Sequence, residues 1–201
     1  EFFSEEAMQH VLKHHDVPRP FETAAPFYAL LEFESTSEFI MDQAMNLFET
    51  CVEQGWVIDG VISQSETQAK NLWTLREGIS ESISVRTPYK NDISVVVSKV
   101  PDFLNEINTV VSEHYPDFEI IWFGHIGDGN LHLNILKPID LPNEEFFSKL
   151  VPQLLKSLSH QMISKGDQVG YSLKSFTSKY LKTSNLRSVL EAYKKEIDKL
   201  F

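Results

Sequence analysis

The stretch FGHIGDGNLHLN, residues 123–134, constrains this chain more than any other. An Asp-Gly pair between two runs of alternating apolar and polar residues is a strong mark of a β-hairpin, because its tight turn needs positive φ. With Asp128 and Gly129 as the two central turn residues, Gly127 pairs with Asn130, Ile126 with Leu131 and His125 with His132. Side chains alternate along a strand, and directly opposed residues share a face. His125, His132 and Asn134 are therefore expected on one face, with Leu131, Leu133 and Ile135 on the other, under helices. Two imidazoles so placed can reach one divalent metal at about 2.0–2.1 Å per nitrogen. An anion site or a plain cross-strand histidine pair satisfies the same pattern. Gly124, Gly127 and Gly129 do not make a dinucleotide-binding loop, since their spacing differs and a strand follows them.

Around the hairpin, strand and helix patterns alternate. The spacing predicts a helix over 4–15, a Pro-rich link, and a strand over 27–34. A helix over 37–54 follows, opened by a Ser35–Glu38 capping box and closed by Gly55. WVIDGVIS (56–63) reads as a second strand, and 66–85 as a helix with Leu72, Leu75, Ile79 and Ile83 on one face. Next come a strand over 92–98, a helix over 101–114 with Pro101 near its first turn, and strands over 117–123 and 131–136. A helix over about 143–165 and a mostly helical segment over 172–201 complete the reading. Strand–helix–strand occurs twice, which predicts a duplicated α+β unit whose mainly antiparallel sheet carries helices on one face.

Charge narrows the function classes. A net charge of −11 argues against binding to a nucleic-acid backbone or an anionic membrane surface. Residues 156–201 hold nine Lys and Arg against four Asp and Glu, so the preceding 155 residues carry the whole acidic excess. That basic segment reads as a solvated helical tail or as a contact for an acidic surface. The single cysteine, Cys51, excludes an internal disulfide and is expected as a buried thiol beside Ala44, Leu47 and Phe48. His10, His14, His15 and His114 are expected to be solvated or capping, and Trp73 and Trp122 to belong to the core. No apolar run approaches the roughly 18 residues of a membrane span. The opening EFFSEEAMQH has neither an initiator Met nor the regions of a signal peptide, so the chain is expected to be a piece of a longer protein.

With these residues in view, GHIGDGNLHLNI resembles the signature of the C-terminal domain of FAD-linked oxidases related to vanillyl-alcohol oxidase. The branch is that of D-lactate dehydrogenase, D-2-hydroxyglutarate dehydrogenase and the glycolate oxidase flavin subunit. EFFSEEAMQHVL, APFYALLEFE, LWTLREGISESI and YKNDISVVVSKVPDFL are similar to further parts of that domain, so the likeness spans about residues 1–165. It implies a ferredoxin-like, duplicated fold: a substrate and cap domain over 1–201, with a core at 26–165 and a tail at 166–201. It also implies a flavoenzyme that oxidises a small 2-hydroxy acid, whose N-terminal flavin domain is absent from this chain. Partners would be that domain and an unidentified electron acceptor, with a homodimer left open. The location would be cytoplasmic, or mitochondrial in a eukaryote.

Carried over by position, His125 and His132 match metal ligands, and Arg76 matches the arginine that grips the substrate carboxylate. Ser80, Lys90 and Asn134 match further substrate contacts. Arg76 and Ser80, four apart, would share a helix face. Zinc, manganese or iron would suit the metal position. The likeness breaks at GDQVG, 166–170, where the family has Glu-His-Gly: Gly166 stands at the Glu position and Asp167 at the His position. A one-residue shift would let Asp167 serve as the third metal ligand, but no histidine remains there to take a proton, and the catalytic base is unassigned. The alternative is a non-catalytic hydroxy-acid-binding or assembly domain of the same fold. A metal-dependent hydrolase built on the two histidines alone would lack a third ligand.

Overall fold

Residues 1–35 and 37–150 are described by the computed structural model of the chain. They fall into two compact units, Glu1–Ser82 and a second beginning at Ile83.

In the first unit, β1 (Phe2–Ser4) leads directly into α1 (Glu5–His14). Ser4 caps the helix by accepting from the Ala7 amide, and Glu5 and Glu6 sit at its positive end. Ala7, Met8, His10 and Val11 form its buried face. His10, expected in solvent, is buried because it falls on that inward stripe. β1 pairs antiparallel with β2 (Phe27–Ala29), Phe2 opposite Ala29 and Ser4 opposite Phe27. The link between them is tied by one knot. Arg19 donates through both terminal nitrogens to the Glu5 carboxylate, at 2.9 and 2.8 Å, and the Tyr28 hydroxyl donates to the same group. Burial alone would push the Glu5 carboxyl up, but hydrogen bonds from Arg19, Tyr28 and Gln9 outweigh it and hold it below its ordinary value.

The strand expected over 27–34 stops at Ala29. The ladder supplies three residue pairs, flanked by bonds in both directions between Glu1 and Leu30 and by one from the Glu5 amide to the Pro26 carbonyl, and Leu31 and Phe33 lie exposed. α2 (Glu38–Glu53) forms as expected, with a different start. Its N-cap is Ser37, whose side chain makes no capping bond, while Ser35 Oγ donates to the Ser37 carbonyl. A capping box needs its acid three residues after the cap, and Ile40 stands there. The C-terminus is a Schellman motif: Trp56 N–H reaches the Cys51 carbonyl and Gly55 N–H that of Val52, both at 2.9 Å. Cys51 is half-buried rather than buried. No strand forms over 56–63, where Trp56, Ile58, Val61 and Ile62 are exposed. The helix expected over 66–85 is two: α3 (Glu66–Glu77), capped by Ser65, and α4 (Ile79–Ser84), separated at Gly78. Leu75, Ile79 and Ile83 are buried as expected. Trp73 is only half-buried, and its indole N–H donates to Glu32.

The second unit holds β3 (Tyr89–Ser94), α5 (Val100–His114), β4 (Glu119–His125) and β5 (Asn130–Leu136). β5 is central, antiparallel to β4 on one side and β3 on the other. β3 begins three residues before the expected 92–98 and ends at Ser94, opposite Asn130, where its antiparallel partner β5 begins. Of the valines that follow, Val95 still donates its amide to the Gly129 carbonyl, and Val97–Lys99 winds into a 3-10 turn. α5 buries Val100, Phe103, Leu104, Ile107, Val110 and Val111, a helical stripe that packs on the sheet's inner face. Trp122 anchors it, donating to Asn108 Oδ1 at 2.8 Å and meeting the Phe103 ring edge-on. A helical turn at Asn143–Glu145 runs into a π-type turn, Phe146–Leu150. The rest of the helix expected to 165, and the helical tail, lie outside the described residues. The chain is α+β, and the pairings within each unit are antiparallel.

Candidate functional site

The hairpin forms with a register different from the one its Asp-Gly pair suggests. The loop is four residues, 126–129, with His125 opposite Asn130, Phe123 opposite His132 and Trp122 opposite Leu133. The Asp128 amide bonds back to the His125 carbonyl, and Asp128 Oδ1 accepts from the Asn130 amide at 2.9 Å. Gly129 follows at φ 73°. A four-residue loop of this kind uses Asp128 as a side-chain cap and only one glycine in the left-handed region. The Val95 amide donates to the Gly129 carbonyl at 2.9 Å, so the end of β3 seals the turn.

The displacement moves the pairing by two residues in total, so each side chain keeps its face. On one side lie Ile121, Phe123 and His125 of β4, Asn130, His132 and Asn134 of β5, and Lys90, Asp92 and Ser94 of β3. On the other, Leu131, Leu133 and Ile135 are fully buried. The His125 and His132 rings meet diagonally rather than directly, with centroids 5.7 Å apart and planes at 76°. Phe123 packs against the His132 ring at 4.9 Å. His125 is exposed and His132 partly so, which leaves the pair open to solvent.

Asp92, directly opposite His132, has its Oδ1 2.5 Å from that ring's Nδ1. Lys90 stands opposite Asn134 on the same face. Burial pushes the Lys90 ammonium below its ordinary value, and the nearby Asp92 charge partly restores it. Asn134 is buried, and its amide donates to the His132 carbonyl at 3.4 Å. The second unit thus gathers His125, His132, Lys90 and Asn134 on one strand face. Asp92 joins them there, and sequence reasoning missed it. Its signal was the Lys90-x-Asp92 alternation, hidden because the strand was begun at residue 92.

Arg76 and Ser80 belong to the first unit. Arg76, in the last turn of α3, is buried, and its Nε donates to Glu1 Oε2 at 2.8 Å. Ser80 lies on α4 and is exposed, whereas Arg76 is enclosed. Asp167 lies outside the described residues.

A metal at the histidine pair can be tested against these donors. His125 and His132 supply two imidazoles, and Asp92 supports one of them. Among the described residues no group of three His, Cys, Asp or Glu side chains converges to hold an ion. A zinc site of the catalytic kind takes three protein ligands. Among the described residues such a site is therefore not complete.

With this geometry in hand, comparison with known proteins sets the class. The family of the C-terminal domain of FAD linked oxidases matches residues 1–162, and the chain belongs to that family. It is 68% identical over 149 residues to a D-2-hydroxyglutarate dehydrogenase of Stutzerimonas stutzeri (strain A1501), covering 74% of this chain and 32% of that protein. Similarity to a D-2-hydroxyglutarate dehydrogenase of Xanthomonas citri pv. viticola is 49% over 162 residues, 81% of this chain and 34% of the relative. A probable mitochondrial D-2-hydroxyglutarate dehydrogenase of Oryza sativa subsp. japonica is 34% identical over 175 residues, 86% and 30% respectively. The chain spans about a third of the length of these curated relatives.

Proposed function

We propose that the chain, residues 1–201, is the substrate-side domain of an FAD-dependent dehydrogenase that oxidises a small 2-hydroxy acid, D-2-hydroxyglutarate before D-lactate or glycolate. In this reading 26–165 is the core and 166–201 the tail. The observation that carries it is the polar strand face of His125, His132, Asn134 and Lys90, set in a domain of this family. The order of substrates rests on the names of the relatives.

Each residue's role follows from its chemistry. Arg76 would grip a carboxylate, exchanging its bond to Glu1 for one to the substrate, since a guanidinium presents two parallel donors. Lys90 would be a further contact for the anionic acid, through its ammonium. Ser80 and Asn134 would add hydrogen bonds. His125 and His132 would hold a divalent metal, with Asp167 the candidate for its third ligand. Such a metal, when bound, polarises a hydroxyl and lowers its pKa, and FAD, when bound, accepts the hydride.

The test is a purified full-length protein assayed with an artificial electron acceptor and each of the three acids. D-2-hydroxyglutarate should give the highest kcat/KM, and Lys90→Ala should raise its KM more than that for D-lactate. A protein that carries no flavin, or that reduces the acceptor with none of the acids, would sink the proposal. A second reading is favoured by Gly166 and Asp167 standing where the family has Glu and His: a domain that binds the acid without turning it over. Gly166→Glu with Asp167→His should create activity if only these residues are lacking, and no gain, combined with retained ligand binding, would select it.

A further inference from the structure

We propose that Asp92 is a positioning residue: it holds His132 in the Nδ1-protonated tautomer, so that the Nε2 lone pair faces away from β3 as the working donor of the histidine pair. The inference rests on the proposed ligand role of His132, and it deepens that role by specifying which nitrogen serves.

The argument begins with register. Asp92 and His132 are directly opposed in the β3–β5 ladder, where side chains on one face stand side by side. Their contact is 2.5 Å, between Asp92 Oδ1 and His132 Nδ1. An ionised carboxylate can only accept, so the proton of this bond belongs to the ring. A neutral imidazole that carries its proton on Nδ1 has its lone pair on Nε2, which points away from the carboxylate. The ring is also held from a second side, since Phe123 packs on it from β4. Its rotation is thereby limited between two strands. A carboxylate behind a ligating histidine fixes the ring's tautomer and makes it a better donor.

Other charges face the same spot. Lys90 lies two residues along β3 on the same face, and its ammonium responds to the Asp92 carboxylate. Removing Asp92 therefore withdraws negative charge from both neighbours. Asp92 is about half exposed, so its replacement disturbs little packing.

The test uses the full chain labelled with 15N-histidine. Long-range proton–nitrogen correlation reads which ring nitrogen of His132 carries the proton, and calorimetric titration with Zn2+ alone reads the pair as a donor set. In the wild type the Nδ1–H form should dominate. In Asp92→Ala it should give way to a mixture, and Zn2+ affinity should fall by about 10–100-fold. Asp92→Asn keeps an acceptor at the same place and should retain the Nδ1–H form. A wild-type ring protonated on Nε2, or an Asp92→Ala ring unchanged from the wild type, would overturn the inference. So would unchanged Zn2+ affinity in Asp92→Ala. If the wild type takes up no Zn2+, the metal role of the pair fails by itself, and the ring's protonation still decides what Asp92 does.

Discussion

In the second unit, Trp122, Leu131, Leu133 and Ile135 are buried almost without remainder, whereas α2 of the first unit buries no residue at all. Both segments carry ample apolar side chains. β5 has a strand on each flank and α5 across its inner face, so every leucine on that side meets a counter-surface. Phe39, Met45, Leu47 and Val52 of α2 remain exposed, and so do Trp56 and Ile58 after it. An apolar side chain stabilises a fold only through surface removed from water, about 25 cal/mol per Å². Hydrophobicity is a property of the residue, and its contribution is a property of the site.

The sharpest way to break this comparison is to delete the same atoms in both places. Leu133→Ala should cost about 2–5 kcal/mol, measured as a shift in the urea midpoint, because it opens a cavity in a filled face. Leu47→Ala, at 64% exposure, should move the midpoint by no more than about 0.5 kcal/mol. Equal losses would mean that α2 is covered after all.

Two glycines with nearly the same φ extend the contrast. A Cβ at Gly129 would lie 1.8 Å from the Val95 carbonyl oxygen, while one at Gly55 meets nothing within 4 Å. Gly55→Ala should therefore cost only the left-handed strain, about 1–2 kcal/mol. Gly129→Ala should cost more than that and also weaken the Val95 amide's protection from hydrogen exchange. Similar costs would show that the β3 end can move aside.

A pH-dependent effect is confined to the first unit. The Glu5 carboxyl is held below its ordinary 4.5, so its stabilising contribution is complete above that value and is lost as pH falls through the lower, folded value. Glu5→Gln should cost about 2 kcal/mol at neutral pH, the scale for hydrogen bonds to a charged group, and should flatten the acid limb of the stability curve. An unchanged acid limb would mean that other carboxylates set it.

Much of the fold was legible where short-range rules suffice. α1, α5 and β5 lie within a residue or two of their expected bounds, since the two helices have a periodic apolar stripe with a cap or proline at the start, and β5 alternates behind its glycine turn. The strand expected over 27–34 is cut short at Ala29 and the one over 56–63 does not form, because alternation says nothing about whether a partner strand reaches them. In the site, the common face of His125, His132 and Asn134 was legible from alternation alone. The pairing of Phe123 with His132 was not, because a loop of two residues and one of four satisfy the same sequence. Asp92 escaped for a related reason: its importance lies in the residue opposite, forty positions along the chain.

The amino-acid order by itself determined which side chains lie on one face of each strand, because that follows from a backbone period of two. Only the tertiary structure decided which of them touch. Register, the sealing of the turn by Val95 and the cover given by α5 are set by distant segments, whose contacts no local rule contains.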